Sequence, residues 1–97
     1  MTIVFASKLN EFSRRYVNAQ KSLFVWQLVT EKATWKMKQD VLADFPKAKM
    51  LKNSRARFEI VHNAYRLIAK IDYECQVVEI RFIGTHSEYD RIDPTII

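Results

Sequence analysis

The sequence predicts an α+β fold. Three observations carry this: the hydrophobic period changes from helical to two near residue 50, the strand-like runs after that point are joined by short polar stretches, and 97 residues contain only one Gly and two Pro. A chain of this length is expected to bury roughly 60 to 68% of its unfolded surface in one domain, residues 1–97.

The elements follow in order. Thr2 to Ala6 is β-branched and aromatic, which favours a strand. Ser7 is expected to cap a helix running to about Tyr16, and Asn18 a second one running to about Thr34. Within the second, Leu23 to Val29 is apolar except for Gln27, so that stretch belongs in a core or against a partner. Lys38 to Asp44 predicts a short third helix, stopped at Phe45-Pro46 because a residue before proline avoids the helical region.

From Lys47 onward the period is two. Ala56, Phe58 and Ile60 alternate with Arg55, Arg57 and Glu59; Tyr65, Leu67, Ala69, Ile71 and Tyr73 alternate with Arg66, Ile68, Lys70 and Asp72. Val78, Ile80 and Phe82 alternate with Val77, Glu79, Arg81 and Ile83. Each run can turn one face to a helical layer and the other outward. His62-Asn63-Ala64 and Glu74-Cys75-Gln76 suit hairpins, so an antiparallel, twisted sheet is expected, packed on N-terminal helices. After Gly84, Thr85 is placed to cap one or two helical turns reaching Ile92.

Charge narrows the function. The net charge of +5 favours an anionic partner, most often nucleic acid. Residues 1–54 hold ten Lys/Arg against four Asp/Glu, whereas residues 55–97 hold six against seven. The first half is mostly lysine and the second almost exclusively arginine, whose planar fork matches phosphate oxygens. If the apolar faces of the strands all meet the helices, Arg55, Arg57, Glu59, Arg66, Lys70, Glu79 and Arg81 share one open surface. The bland alternative is a set of ordinary cross-strand ion pairs.

Other chemistries find little support. One glycine excludes the usual phosphate-cradling loops. Cys75 is the only cysteine, and neither His62 nor His86 has flanking ligands, so no metal site and no cofactor are expected. No apolar run approaches the roughly 20 residues that span a bilayer, so no membrane association and a cytoplasmic location are expected. Proton-transfer groups instead concentrate in Gly84-Thr85-His86-Ser87-Glu88-Tyr89-Asp90, where His86 and Tyr89 share a face of any helical turn. Taken singly, each also suits a plain surface or packing role. A histidine beside arginines fits metal-free cleavage of RNA, in which the 2′-hydroxyl attacks the adjacent phosphorus.

Tyr65-Arg66-Leu67, followed by the string from Ile80-Arg81-Phe82-Ile83-Gly84 through Thr85-His86-Ser87-Glu88-Tyr89-Asp90 to Arg91-Ile92-Asp93, resembles the signature of the HigB family of bacterial toxins. Ala33-Thr34-Trp35-Lys36, Ala43-Asp44-Phe45-Pro46, Asn53 and Arg55 extend the likeness over nearly the whole chain. It departs at His62-Asn63, where relatives often have Gly-Asn, and at Lys52 and Arg57, which replace commoner neutral residues. Glycine is easiest at that turn, and Asn63 is the residue expected to take the left-handed conformation there.

The resemblance implies a RelE-like fold and a ribosome-dependent endoribonuclease that cuts translated mRNA and slows growth. It also implies neutralisation by a HigA-type helix-turn-helix antitoxin, through which alone the toxin meets operator DNA. Carried over by position, Arg66 and Arg81 would hold the scissile phosphate, His86 would be the acid or base, and Tyr89 would orient RNA or assist proton transfer. Asn53, Arg55, Arg57, Lys52 and Lys70 would guide the strand, and Trp26 on the apolar helix would meet the antitoxin. The alternative is a non-catalytic RNA- or ribosome-binding module of the same fold. A transcriptional antitoxin fits less well, since no helix pair with a basic recognition helix is evident.

Overall fold

The computed structural model describes residues 1–97. In chain order the elements are β1 (Thr2–Val4), α1 (Ser7–Arg15), a 3₁₀ turn (Val17–Ala19), α2 (Gln20–Lys32), α3 (Lys38–Asp44), β2 (Lys49–Met50), β3 (Arg55–Ile60), β4 (Tyr65–Asp72), β5 (Val77–Thr85) and α4 (His86–Tyr89). The five strands form one sheet in the order β1-β5-β4-β3-β2. Strands β2 to β5 pair antiparallel, as their short connections require. The sheet as a whole is mixed, because β1 joins β5 in parallel. The three helices carry the chain from β1 at one edge to β2 at the other, a long connection whose direction no local pattern encodes.

The core lies between the helices and one face of the sheet. Ala56, Phe58 and Ile60 of β3, Leu67, Ala69 and Ile71 of β4, and Val78 and Ile80 of β5 meet Leu9, Phe12, Leu23 and Trp26. Two aromatic clusters anchor this contact. Phe12, Tyr16 and Tyr65 pack at one end, with ring centroids 4.5 to 5.2 Å apart. Trp26, Phe45 and Phe58 pack at the other, joined by Trp35, whose indole N–H donates to Asp44 at 2.8 Å. Trp26 is only 2% exposed, so this core residue offers no surface to an antitoxin. Leu23 is buried with it, while Phe24, Val25 and Leu28 of the same helix are exposed.

Several local expectations are corrected. Ser7 begins α1 without acting as its cap, since Ala6 holds that position with no side-chain bond. Asn18 does not cap α2 either: its amide oxygen accepts the Tyr65 hydroxyl at 2.7 Å, and α2 starts at Gln20 and ends at Lys32. The β3–β4 connection takes positive φ at Val61 (53°) and His62 (57°), not at Asn63. Such a conformation is uncommon for a β-branched residue, and it frees the Asn63 side chain for another use. The β2–β3 turn places Asn53 and Ser54 at φ 59° and 62°, with Arg55 N–H donating to the Lys52 carbonyl, the pattern of a primed hairpin turn. No helix is long and apolar enough to cross a membrane.

Candidate active site

The sheet face away from the helices carries the expected charges in cross-strand rows. Arg55, Lys70 and Glu79 are in register at one end, and Glu59, Arg66 and Gly84 at the other. Between them the β4–β5 register shifts at Ile68/Ala69: Ile68 pairs with Phe82 and Ala69 with Ile80, leaving Arg81 without a partner residue. This bulge reverses the alternation of β5. Ile83 therefore packs on the core, and Phe82, expected inside, joins the open face. A Cβ on Gly84 would lie 2.6 Å from the Phe82 ring and 3.2 Å from the Glu88 carboxylate, which explains the chain's one glycine here.

Arg66 is the centre of the first cluster. It is 7% exposed, and its Nε donates to the Asn63 amide oxygen at 2.9 Å. Its guanidinium carbon lies 5.0 Å from the centre of the Tyr89 ring, and that of Arg57 lies 5.8 Å from the same ring. A tyrosine thus braces two cations against each other's repulsion through the negative face of its ring. The terminal nitrogens of Arg66 make no bond within the protein, and the Arg57 Nε is buried without a partner. The free terminal nitrogens of Arg66 suit an incoming anion, whereas the Nε of Arg57, like that of Arg55, is shielded from solvent.

Helix α4 brings the remaining groups. The Thr85 hydroxyl accepts the Glu88 N–H at 3.3 Å, and the Glu88 carboxylate accepts the Thr85 N–H at 2.9 Å. This reciprocal cap, expected from Thr85, fixes a helix of four residues that would otherwise have little to hold it. The Thr85 N–H and hydroxyl, followed by Arg15 and Arg91, hold the Glu88 carboxyl below the ordinary glutamate range. His86 and Tyr89 occupy the same turn. His86 Nδ1 lies 3.1 Å from the Asp90 carboxylate. An ionised carboxylate only accepts, so Nδ1 carries the proton and Nε2 is the nitrogen left for a substrate.

The other expected residues form a second cluster. Arg81 donates from Nε to the Ile97 backbone oxygen at 3.0 Å and from Nη1 to Glu79. Arg55 Nη2 donates to the same Ile97 oxygen at 2.6 Å, and Asn53 donates to the Thr95 carbonyl at 2.9 Å. Arg66 and Tyr89 are thus brought together, with His86 on the adjoining turn, while Arg81 joins Arg55 and Asn53 instead. Lys52 and Lys70 are exposed and make no side-chain bond. The Arg66 contact of Asn63 had no signal in periodicity, because it is made by a loop side chain three residues before its partner. No three His, Cys, Asp or Glu side chains gather at one point.

Chemically, the first cluster offers a fixed guanidinium with free donors, packed on the tyrosine of the same short helix that carries an oriented imidazole. A search of curated proteins finds no match for the chain. The family model for HigB toxin, the RelE-like toxic component of a toxin–antitoxin system, matches residues 19–92. That span runs from the start of α2 through both Arg66 and α4, and covers well over half of the sequence. The chain therefore belongs to the HigB toxin family, whose members are the toxic half of a toxin–antitoxin pair.

Proposed function

We propose that the protein is an endoribonuclease that cleaves translated mRNA on the ribosome without a metal, and that a HigA-type helix-turn-helix antitoxin holds it inactive. The observation that carries this reading is the buried Arg66, fixed by Asn63 and Tyr89 with its terminal nitrogens free, while the helix that supplies Tyr89 also carries His86, whose Nδ1 faces Asp90. The basic surface attracts RNA in a salt-dependent way, and operator DNA is reached only through the antitoxin.

The reaction follows from these groups. His86 Nε2 takes the proton of a ribose 2′-hydroxyl, and the resulting oxygen attacks the neighbouring phosphorus. The bond from phosphorus to the 5′-oxygen breaks, and that oxygen takes a proton from solvent, to which α4 is open. The products are a 2′,3′-cyclic phosphate and a 5′-hydroxyl. Arg66 offsets the charge that builds on the phosphoryl oxygens, and no metal is required because the nucleophile is part of the substrate. Positioned proton transfer contributes about 10² to 10⁴-fold, and a fixed charge-stabilising donor about 2.7 to 4 kcal/mol.

The test is to induce the wild type and an Arg66→Ala, His86→Ala double variant in bacteria and to map the ends of translated transcripts. The wild type should create new ends and arrest growth, and the double variant should do neither. Equal arrest by both would remove the site assignment. Ribosome binding by the wild type with no new ends would make the protein a binder without catalysis.

A further inference from the structure

The segment after α4 crosses the open face of the sheet without regular structure and ends on the second arginine cluster. A turn at Asp93 aims it: the carboxylate accepts the Thr95 N–H at 3.0 Å and its hydroxyl at 2.6 Å, and the Asp93 carbonyl accepts the Ile96 N–H. Beyond that turn, residues 94–97 make three hydrogen bonds to the rest of the molecule, from Asn53, Arg55 and Arg81. All three donors lie on the proposed RNA face. Two guanidiniums converging on one oxygen atom is the arrangement that a phosphate oxygen recruits. Ile96 is 69% exposed and Pro94, Thr95 and Ile97 are only half-buried, so no residue of the segment is anchored in the core.

We propose that Arg55 and Arg81 form a second RNA-phosphate site, distinct from the reacting one, and that residues 94–97 are a displaceable strap that occupies it until RNA takes its place. Lys70, the register partner of Arg55, is four residues from Arg66 along β4. At about 3.3 Å per residue the two sites are roughly 13 Å apart, so they grip different phosphates of one strand. The strap and the RNA compete for the same donor atoms, and the strap lowers RNA affinity by the fraction of time it is closed. A strap closed about nine-tenths of the time weakens apparent binding about tenfold. The inference rests on the RNA reading of this face, and it adds regulation to it.

The experiment measures binding of a short single-stranded RNA carrying 2′-O-methyl groups, which block cleavage, by fluorescence anisotropy. It compares the full chain, a chain ending at Asp93, and a full-length Pro94→Gly, Thr95→Gly variant that loosens the strap without shortening it. Each is repeated with Arg55→Gln. Both loosened forms should bind about tenfold more tightly than the full chain, and Arg55→Gln should erase the gain. Unchanged or weaker binding in the full-length loosened form overturns the strap. Cleavage of the same RNA without methyl groups, on programmed ribosomes, is scored separately. A strap effect without cleavage would retire the nuclease reading and keep the strap, and no RNA binding by any form would remove both.

Discussion

Two groups of arginines lie on one face of one sheet, and they differ in what satisfies them. Around Arg66 the protein supplies an amide oxygen to Nε and a tyrosine ring to the guanidinium face, and leaves the terminal nitrogens free. Around Arg55 and Arg81 the Ile97 backbone oxygen takes Arg55 Nη2 and Arg81 Nε, the Asn53 carbonyl takes Arg55 Nη1 and the Glu79 carboxylate takes Arg81 Nη1. The first arrangement is pre-organised for a ligand, since little must be broken before an anion arrives. The second must exchange one acceptor for another. Identical side chains therefore have different expected roles: Arg66 acts on reaction rate, and Arg55 acts on affinity.

The largest effect is expected when the charge is kept and the fork removed. Arg66→Lys should lower single-turnover cleavage on programmed ribosomes by about 10² to 10³-fold, because an ammonium neither stacks on Tyr89 nor presents two aligned donors. Arg55→Lys should change cleavage at saturating RNA only slightly and appear instead in binding. Equal losses in the two variants would show that the clusters are not differentiated.

Asn63 offers the next largest effect, and it sharpens the claim that Arg66 is held in place. The residue touches the guanidinium and no reacting atom, so it is a positioning residue. Losing a hydrogen bond to a charged group costs about 1.5 to 3 kcal/mol, which sets the expected fall in cleavage for Asn63→Ala. Asn63→Asp keeps an acceptor for Nε and should recover part of that loss. If the activity of Asn63→Ala falls only in proportion to a lower melting temperature, the side chain has a structural role alone.

Tyr89 then separates bracing from proton transfer. Tyr89→Phe keeps the ring that faces Arg57 and Arg66 and should retain cleavage within about threefold, whereas Tyr89→Leu loses the cation–π contacts, about 0.5 to 2 kcal/mol each. A large loss in Tyr89→Phe would move the hydroxyl into the chemistry. The readout is the cleavage rate of each variant at saturating RNA.

The same two clusters mark what the sequence makes legible. Alternation over residues 55–60 and 65–72 encodes which side chains share a face, because a period of two leaves no other solution for a half-buried strand. The same period assigns the charges of these two strands to the open face. The bulge at Ile68/Ala69 carries no comparable signal, so Phe82 and Ile83 exchange faces and Arg81 turns from Arg66 toward Arg55. The partner of β1 is hidden for a related reason: its pairing with β5 joins residues more than seventy positions apart, and nothing in Thr2–Val4 names that partner. Trp26 illustrates a third limit, since an apolar run on a helix shows that a face is covered but not by what. The closing motif was legible through Thr85, whose capping role follows from residue type and spacing. The strap after it was not, because residues 94–97 have no period and take their conformation from the arginines they meet.

The smallest effect expected lies in that cap, and it tests whether the two clusters are independent. Thr85→Ala should cost about 1 kcal/mol of stability, as loss of an N-cap typically does. It should also reduce cleavage, because α4 carries His86 and Tyr89, while binding of uncleavable RNA to a strap-loosened chain should persist through Arg55 and Arg81. The Glu88 half of the cap is pH-dependent in a definite direction. Its carboxyl is held below the ordinary glutamate range in the folded protein, chiefly by the Thr85 N–H. Its stabilising effect is therefore present above the ordinary glutamate value and lost as pH falls through the lowered folded one. The melting temperature of the wild type should exceed that of Glu88→Gln at neutral pH, and the gap should close in acid. A gap that stays constant into strong acid would mean that the charge on Glu88 plays no part in holding α4, and the cap would then rest on the Thr85 hydroxyl alone.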